Sequence, residues 1–295
     1  MAEILEHFFE ILWHTVIDTA KLIPFLFLSY LLMEFLEHRS SGAAEACLKR
    51  SGKIGPLFGG VFGVLPQCGF SAAASGLYAG RIITAGTLIA VYLSTSDEML
   101  PILISHGAPI GLVFKILGTK LAVGILAGFA VDAVAGILRR KEQVEQTPCI
   151  EELCEREKCR CEDHFLLSAI KHTLHITLFI LLFTFFLNLI IHGVGEERLA
   201  ELLSGLGLAG NLLAAVVGLI PNCASSVVIT ELYLSGMLTV GAMFSGLLVN
   251  AGIGTALLIR TNRPLRDSLR LILILLCIGA AFGILVDLTP IASLF

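Results

Sequence analysis

The chain has 295 residues, 56% of them hydrophobic and only 15% charged, and its mean hydropathy is +0.88. Ordinary soluble domains carry about 25% charged residues, so a soluble globular domain fits this composition poorly. Twenty Lys and Arg against 24 Asp and Glu leave a net charge of -4 with no basic face that points to nucleic acid.

The N-terminal MAEILEHFFE carries acids rather than the basic n-region of a secretory signal, so the first apolar segment is expected to remain as a span. That segment, Ile11 to Phe35, is followed by Ile82 to Ile104, Phe165 to Ile191, Met237 to Ile259 and Leu271 to Leu288. Each has about the twenty residues that a helix needs to cross roughly 30 Å of hydrocarbon. In the first span His14, Asp18 and Lys21 share a helix face, and His172 lies at the matching place in the Phe165 span. His14, Asp18 and His172 are candidates for ion coupling or proton transfer, against the plainer reading of solvated interfacial residues.

After the first span the sequence GVLPQCGFSAAASGLY begins at Gly63, and it returns as GLIPNCASSVVITELY from Gly218, 155 positions later. The register holds for about seventy residues: Thr84 matches Thr239, Gly86 matches Gly241, and Val131-Asp132 matches Val286-Asp287. Apolar helices match by chance at Leu and Ile, but Pro, Cys, Tyr and Asp in one register mark an internal duplication. Asp132 and Asp287, repeated in this way, are expected to stabilise helix ends rather than bind substrate.

Charge orients the two halves. Arg39, Lys49, Arg50 and Lys53 follow the first span, whereas the matching loop reads Glu196-Glu197-Arg198; conversely Ser105-His106-Gly107 has no basic residue, while its partner loop holds Arg260, Arg263, Arg266 and Arg270. Basic residues stay on the cytoplasmic side, so equivalent loops face opposite ways and the repeat is inverted. Parity then requires Ile54 to Gly80 to enter the membrane and return, with a break at Pro66, which disfavours helix at Leu65 and removes a donor. The expected fold is an all-α polytopic membrane protein of two inverted repeats, with six full spans plus two re-entrant helical hairpins, or ten membrane segments. Residues 1–138 form the first repeat, 139–164 a cytoplasmic link and 165–295 the second repeat, with both termini outside.

Non-helical backbone at membrane depth occurs where protein buries it or where it lines a wet cavity. The hairpin tips therefore nominate Gln67, Cys68 and Ser71 in one half and Asn222, Cys223 and Ser226 in the other. Thr95, Asp97 and Glu98 add polar and ionisable groups inside a span, where charge is costly and by default functional; Asn250 lies at the repeat position of Thr95. In the link, Cys149, Cys154, Cys159, Cys161 and His164 crowd within sixteen residues. Reduced thiols and imidazole suit soft or borderline metals, although a charged linker with incidental cysteines fits equally well.

The blocks GVLPQCGFSAAASGLYAGRIITAGTLIAVYLSTSDEMLPIL and GLIPNCASSVVITELYLSGMLTVGAMFSGLLVNAGIGTALLIRTNR resemble the ten-segment heavy-metal exporters. That family is related to ArsP-type arsenic permeases, and its members are often labelled manganese transporters. The resemblance spans most of the chain outside the link. It implies an integral protein of a bacterial or archaeal cytoplasmic membrane that exports a divalent metal or metalloid ion by alternating access, the ion held between the two hairpin tips. No cofactor is required; the partners are the metal or metalloid ion and the lipid bilayer, and a homo-oligomer is compatible with the sequence. ArsP-type permeases carry a more cysteine-rich break, so one Cys per half speaks against arsenic itself. The alternative is a carrier of a small organic solute or anion bound by hairpin amides. An intramembrane enzyme is disfavoured, because neither an HExxH nor a GxSxG signature occurs, and ATP hydrolysis is disfavoured because no Walker motif does.

The inverted topology predicts that a cysteine introduced at Gly107 or Glu196 of a functional protein reacts with an impermeant thiol reagent in intact cells, while one at Lys53, Arg140 or Arg263 is protected. Labelling at Arg263 from outside would overturn the arrangement.

Overall fold

The computed structural model describes fourteen positions between residues 12 and 31, then 54–65, 68–96, 98–142, 165–194, 208–290 and 292, with backbone alone at Cys68, 138–142, 165–169, His172, 187–194 and Leu208. Every regular element among the described residues is helical. In chain order they are the helical positions within 12–31 (α1), α2 (Ile54–Gly63), α3 (Cys68–Ala79), α4 (Ala85–Ser94), α5 (Met99–Ser105) and α6 (Ile110–Glu142). There follow α7 (Phe165–Val194), α8 (Leu208–Gly218), α9 (Cys223–Leu234), α10 (Val240–Val249), α11 (Gly254–Thr261) and α12 (Leu265–Leu288).

The sequence duplication reappears as matched helix boundaries. Cys68 and Cys223, Ala85 and Val240, Met99 and Gly254, and Ile110 and Leu265 open four pairs of helices at the repeat offset. Thr84 and Thr239 cap α4 and α10, their hydroxyls accepting from the Thr87 N–H at 3.1 Å and the Ala242 N–H at 3.0 Å. Asp132 then accepts from the Gly86 N–H at 2.8 Å and the Thr84 hydroxyl at 2.7 Å. Asp287 repeats both bonds, to Gly241 and Thr239, at 2.8 Å each. These carboxylates tie the long helices α6 and α12 to the starts of α4 and α10, the helix-end role expected from the sequence.

Four stretches among the described residues are long and apolar enough to cross a membrane: Ala85–Ser105, Ile110–Ile137, Val240–Thr261 and Leu265–Leu288. Two of them were expected as continuous helices and are interrupted instead. Between α4 and α5 the Ser94 and Thr95 hydroxyls turn back onto the carbonyls of Ala90 and Val91, each at 2.7 Å, and helix resumes only at Met99. Hydroxyls that bond their own backbone weaken helix propagation. Between α10 and α11 the side-chain oxygen of Asn250 accepts from the Gly252 N–H at 2.8 Å, and Gly252 has φ 52, a left-handed turn that stops a helix.

Between apolar helices in lipid there is no hydrophobic driving force, so close packing of small residues takes its place. A Cβ added to Gly128 would sit 2.6 Å from the Gly86 carbonyl oxygen and 2.9 Å from the Ala90 Cβ; Gly241 and Gly283 abut equally tightly. These contacts bind α6 along α4 and α12 along α10. The stretch Val240–Thr261 is almost wholly enclosed, whereas α6 and α12 turn Phe114, Leu126, Ile137, Leu269, Leu273 and Leu285 outward. Broken spans thus occupy the centre, and an apolar rim suited to lipid surrounds them.

The halves interlock rather than stand side by side. Helix α3 packs along α11, and α9 packs against α5, so the helix after each proline break meets the far piece of the other half's broken span. Leu26 and Tyr30 of α1 join Ile176 and Ile180 of α7 around Ala72 and Leu257. At one end a polar bridge also joins the halves. Arg81 donates to the Arg263 carbonyl at 3.0 Å and lies 3.6 Å from Asp267, which accepts from Tyr78 at 2.8 Å and from Asn262 at 3.0 Å. Arg81 has φ 60, and its repeat partner Gly236 has φ 74, so Arg81 occupies a backbone conformation that is more usual for glycine.

Asp132→Ala or Asp287→Ala removes two hydrogen bonds to a carboxylate. Each substitution is expected to destabilise the detergent-solubilised protein by about 1.5–3 kcal/mol, read as a lowered thermal unfolding midpoint, with Asn substitutions costing less.

Candidate functional site

Helical backbone is interrupted after α2, α4, α8 and α10, and hydrogen bonds link these places. The Ser96 hydroxyl, in the gap between α4 and α5, donates to the Val64 carbonyl at the end of α2 at 2.6 Å. In the other half the Asn250 amide donates to the Ser225 hydroxyl in the first turn of α9 at 2.9 Å. Each gap is therefore tied to a residue beside the proline break of its own half. Across the halves, the Ser75 hydroxyl of α3 reaches the Gly254 carbonyl at 2.8 Å and the Tyr92 hydroxyl at 2.6 Å, and Tyr92 donates to the same carbonyl at 3.0 Å. Ser71 stands so close that a Cβ on Gly254 would lie 2.9 Å from the Ser71 Cβ and from its carbonyl oxygen.

Local sequence explains the polarity of these tips. Asn222 has an extended backbone and caps α9, its side chain accepting from the Ala224 N–H at 3.5 Å. Ser225 donates to the Asn222 carbonyl at 2.8 Å, and Ser226 to the Cys223 carbonyl at 2.8 Å. Short hydroxylated and amide side chains satisfy backbone that helix cannot, which is what membrane depth demands. The same geometry offers carbonyl oxygens at the C-terminal ends of α2, α4, α8 and α10, and these suit cations.

Among the residues nominated from sequence, Ser71, Thr95, Asn222, Ser226 and Asn250 are buried around these interruptions. Glu98 is half-buried and occupies the N-cap position of α5 without a side-chain capping bond. Cys223 is half-buried and packs against the apolar cluster that contains Ile253 and Leu257. Gln67, Asp97, His14 and Asp18 lie outside the described residues, as do Cys149, Cys154, Cys159, Cys161 and His164 of the link. Cys68 and His172 are described as helix backbone alone. Among the described residues no three His, Cys, Asp or Glu side chains gather into a metal cluster.

One residue that the sequence reading passed over belongs to this centre. Lys120 of α6 is 1% exposed, and its ammonium donates to the Leu247 carbonyl of α10 at 2.6 Å. Packing sets its depth. Gly128 meets Gly86 and Ala90, and Gly124 meets Ala90 and Ser94, so α6 runs antiparallel to α4 and Lys120, one turn further, stands level with the gap after Ser94. A charged side chain at such depth costs a few kcal/mol, and a hydrogen bond from a charged donor returns roughly 1.5–3 kcal/mol. The signal available in sequence was a Lys inside an apolar helix whose repeat partner is Leu275.

A family model described as "Putative, 10TM heavy-metal exporter" matches residues 10–165 and 149–259. Both proline breaks and both span gaps fall within the matched stretches. No curated protein and no solved structure matches the chain.

Asn250→Ala would leave the Gly252 N–H and the Ser225 hydroxyl without that partner inside a buried gap. A loss of about 1–3 kcal/mol is expected, seen as a lower unfolding midpoint, whereas Asn250→Asp keeps the acceptor for Gly252 and should lose less.

Proposed function

Because the chain belongs to the 10TM heavy-metal exporter family, we propose that it is a secondary carrier that exports a divalent metal or metalloid ion by alternating access. It is an integral membrane protein, and a transporter rather than an enzyme by family. In this reading the two halves are inverted repeats and α2–α3 and α8–α9 are re-entrant hairpins. The ion sits between the breaks at Pro66-Gln67-Cys68 and Pro221-Asn222-Cys223.

The observation that carries the proposal is the convergence of four helix interruptions held by Ser96 with Val64, Asn250 with Ser225, and Ser75 with Gly254. A cation that leaves water needs oxygen or sulfur ligands in replacement. Freed carbonyls, the side chains of Gln67, Thr95, Asn222 and Asn250, the thiols of Cys68 and Cys223, and the carboxylates of Asp97 and Glu98 are the ligand types on offer, with Ser71 and Ser226 lining the same region. Carboxylate and amide ligands suit a hard ion such as Mn, whereas added thiolate favours a borderline ion such as Zn or Cd.

Alternating access is supported by the unequal ends of the interlocked halves. Arg81, Asp267 and Asn262 bridge the halves at the end that bears the basic loop. Their repeat positions are Gly236, Leu112 and Gly107, which lack the side chains for such a bridge. One end is thus latched by polar contacts that opening would break, while the other has none of that kind from the matching residues. Energy comes from exchange with protons or from the membrane potential, with His14, Asp18 and His172 as coupling candidates. The link cysteines Cys149, Cys154, Cys159 and Cys161 with His164 serve as an accessory metal-capture segment.

The rival carrier of an anion or organic solute draws its support from the buried positive charge of Lys120. Flux assays in proteoliposomes with Mn, Zn, Cd, Co and arsenite, with and without a pH gradient, separate the two. Transport is expected to fall at least about tenfold in Asp97→Asn or Glu98→Gln, the loss of a charged ligand being worth more than 1.4 kcal/mol. If Cys68→Ser with Cys223→Ser is then silent, the cargo is a hard cation. If all four changes leave metal transport intact, the proposed site is wrong.

A further inference from the structure

We propose that Lys120 is a tethered cation which takes the place of the metal ion at the central gap and lets the empty carrier return. This rests on the metal-ion reading above and adds to it a residue and a step in the cycle. Three observations carry it. First, α6 places Lys120 level with the gap that contains Ser96 and Glu98, as the packing of Gly124 and Gly128 requires. Second, the ammonium donates at 2.6 Å to the carbonyl of Leu247 in the last turn of α10, three residues before Asn250. That is the negative end of a half-helix, the feature to which a free cation would also be drawn. Third, the charge is asymmetric in the same way as the acids: Lys120 faces Leu275 across the repeat, and Asp97-Glu98 face Gly252-Ile253.

The physical need arises on the return stroke. A carrier that has released a divalent ion keeps its acidic and carbonyl ligands at a depth where uncompensated charge is costly. Reorientation is slow unless another cation neutralises them. An ammonium on the same chain does so at high effective concentration, and it competes with the ion by the same token. The apparent affinity for metal is then reduced by the fraction of carrier in which Lys120 holds the gap. Removing the ammonium should therefore tighten metal binding while slowing net transport, a combination that loss of a ligand or of packing does not produce.

The test uses the full-length protein in liposomes with Mn2+, Zn2+ and Cd2+, and compares wild type, Lys120→Gln and Lys120→Arg. Net flux into a metal-free lumen, isotope exchange with equal metal on both sides, and metal-dependent thermal stabilisation are measured on each. For Lys120→Gln the expected result is exchange within about twofold of wild type, net flux lower by roughly tenfold, and an apparent Kd tighter by roughly tenfold; Lys120→Arg should retain most net flux. Loss of exchange together with net flux, or a Kd that is unchanged or weaker, overturns the role. Wild-type protein that neither binds nor moves any of the three ions overturns the metal reading itself, and this is seen before any substitution is made. Should Lys120→Gln fail to reconstitute, the wild type decides: saturating metal is expected to speed acetylation of Lys120, followed by mass spectrometry, and an equal or slower rate overturns the proposal.

Discussion

Backbone groups released from a helix at membrane depth have no water to turn to, and this protein's centre is organised around satisfying them. Polar side chains from neighbouring elements serve two of these places, Ser96 for the Val64 carbonyl and Ser75 with Tyr92 for the Gly254 carbonyl, while Asn250 serves the Gly252 N–H within its own gap. Where the partner lies on another element, as for Val64 and Gly254, satisfying the backbone also draws the helices together. The same requirement that makes an interrupted helix costly thereby concentrates polar groups in one place. In a fold proposed to bind an ion, that concentration is what replaces hydration.

Duplication supplies the scaffold and asymmetry supplies the chemistry. The Thr84, Gly86 and Asp132 arrangement and its copy at Thr239, Gly241 and Asp287 hold both halves in one geometry. Upon it, ionisable side chains are distributed unevenly. Lys120 and Glu98 belong to the first half alone, and the Arg81–Asp267 bridge joins the halves at one end alone. A symmetric carrier would have two equivalent end states of similar energy. In the proposed carrier, unequal polar contacts at the two ends would bias one of them, and a biased equilibrium is what directional coupling can act upon.

Tight glycine and alanine contacts between α4 and α6, and between α10 and α12, give each half a stiff pair of helices. The contacts between halves are of another kind, chiefly α3 along α11 and α9 against α5, with hydroxyl-to-carbonyl bonds where the gaps meet. Rigid-body motion of one half against the other would therefore strain those polar contacts first. In the proposed transport cycle, binding and release at the gaps and reorientation of the halves would engage the same hydrogen bonds.

Sequence by itself determined the membrane character, the duplication with its offset, the proline breaks and the helix-end role of Asp132 and Asp287. These follow from local composition and from residues that recur in register, which one dimension records in full. It did not reveal that the spans Ile82 to Ile104 and Met237 to Ile259 are each interrupted, because an apolar run has the same length and hydropathy whether its helix is whole or broken. Nor did it reveal the depth of Lys120, since a charge near a polar loop and a charge aimed into the core look alike until α6 is packed on α4. Only the tertiary structure decided which breaks meet, because the Ser75–Gly254 and Lys120–Leu247 bonds join residues far apart in the chain through helix packing that no local pattern encodes.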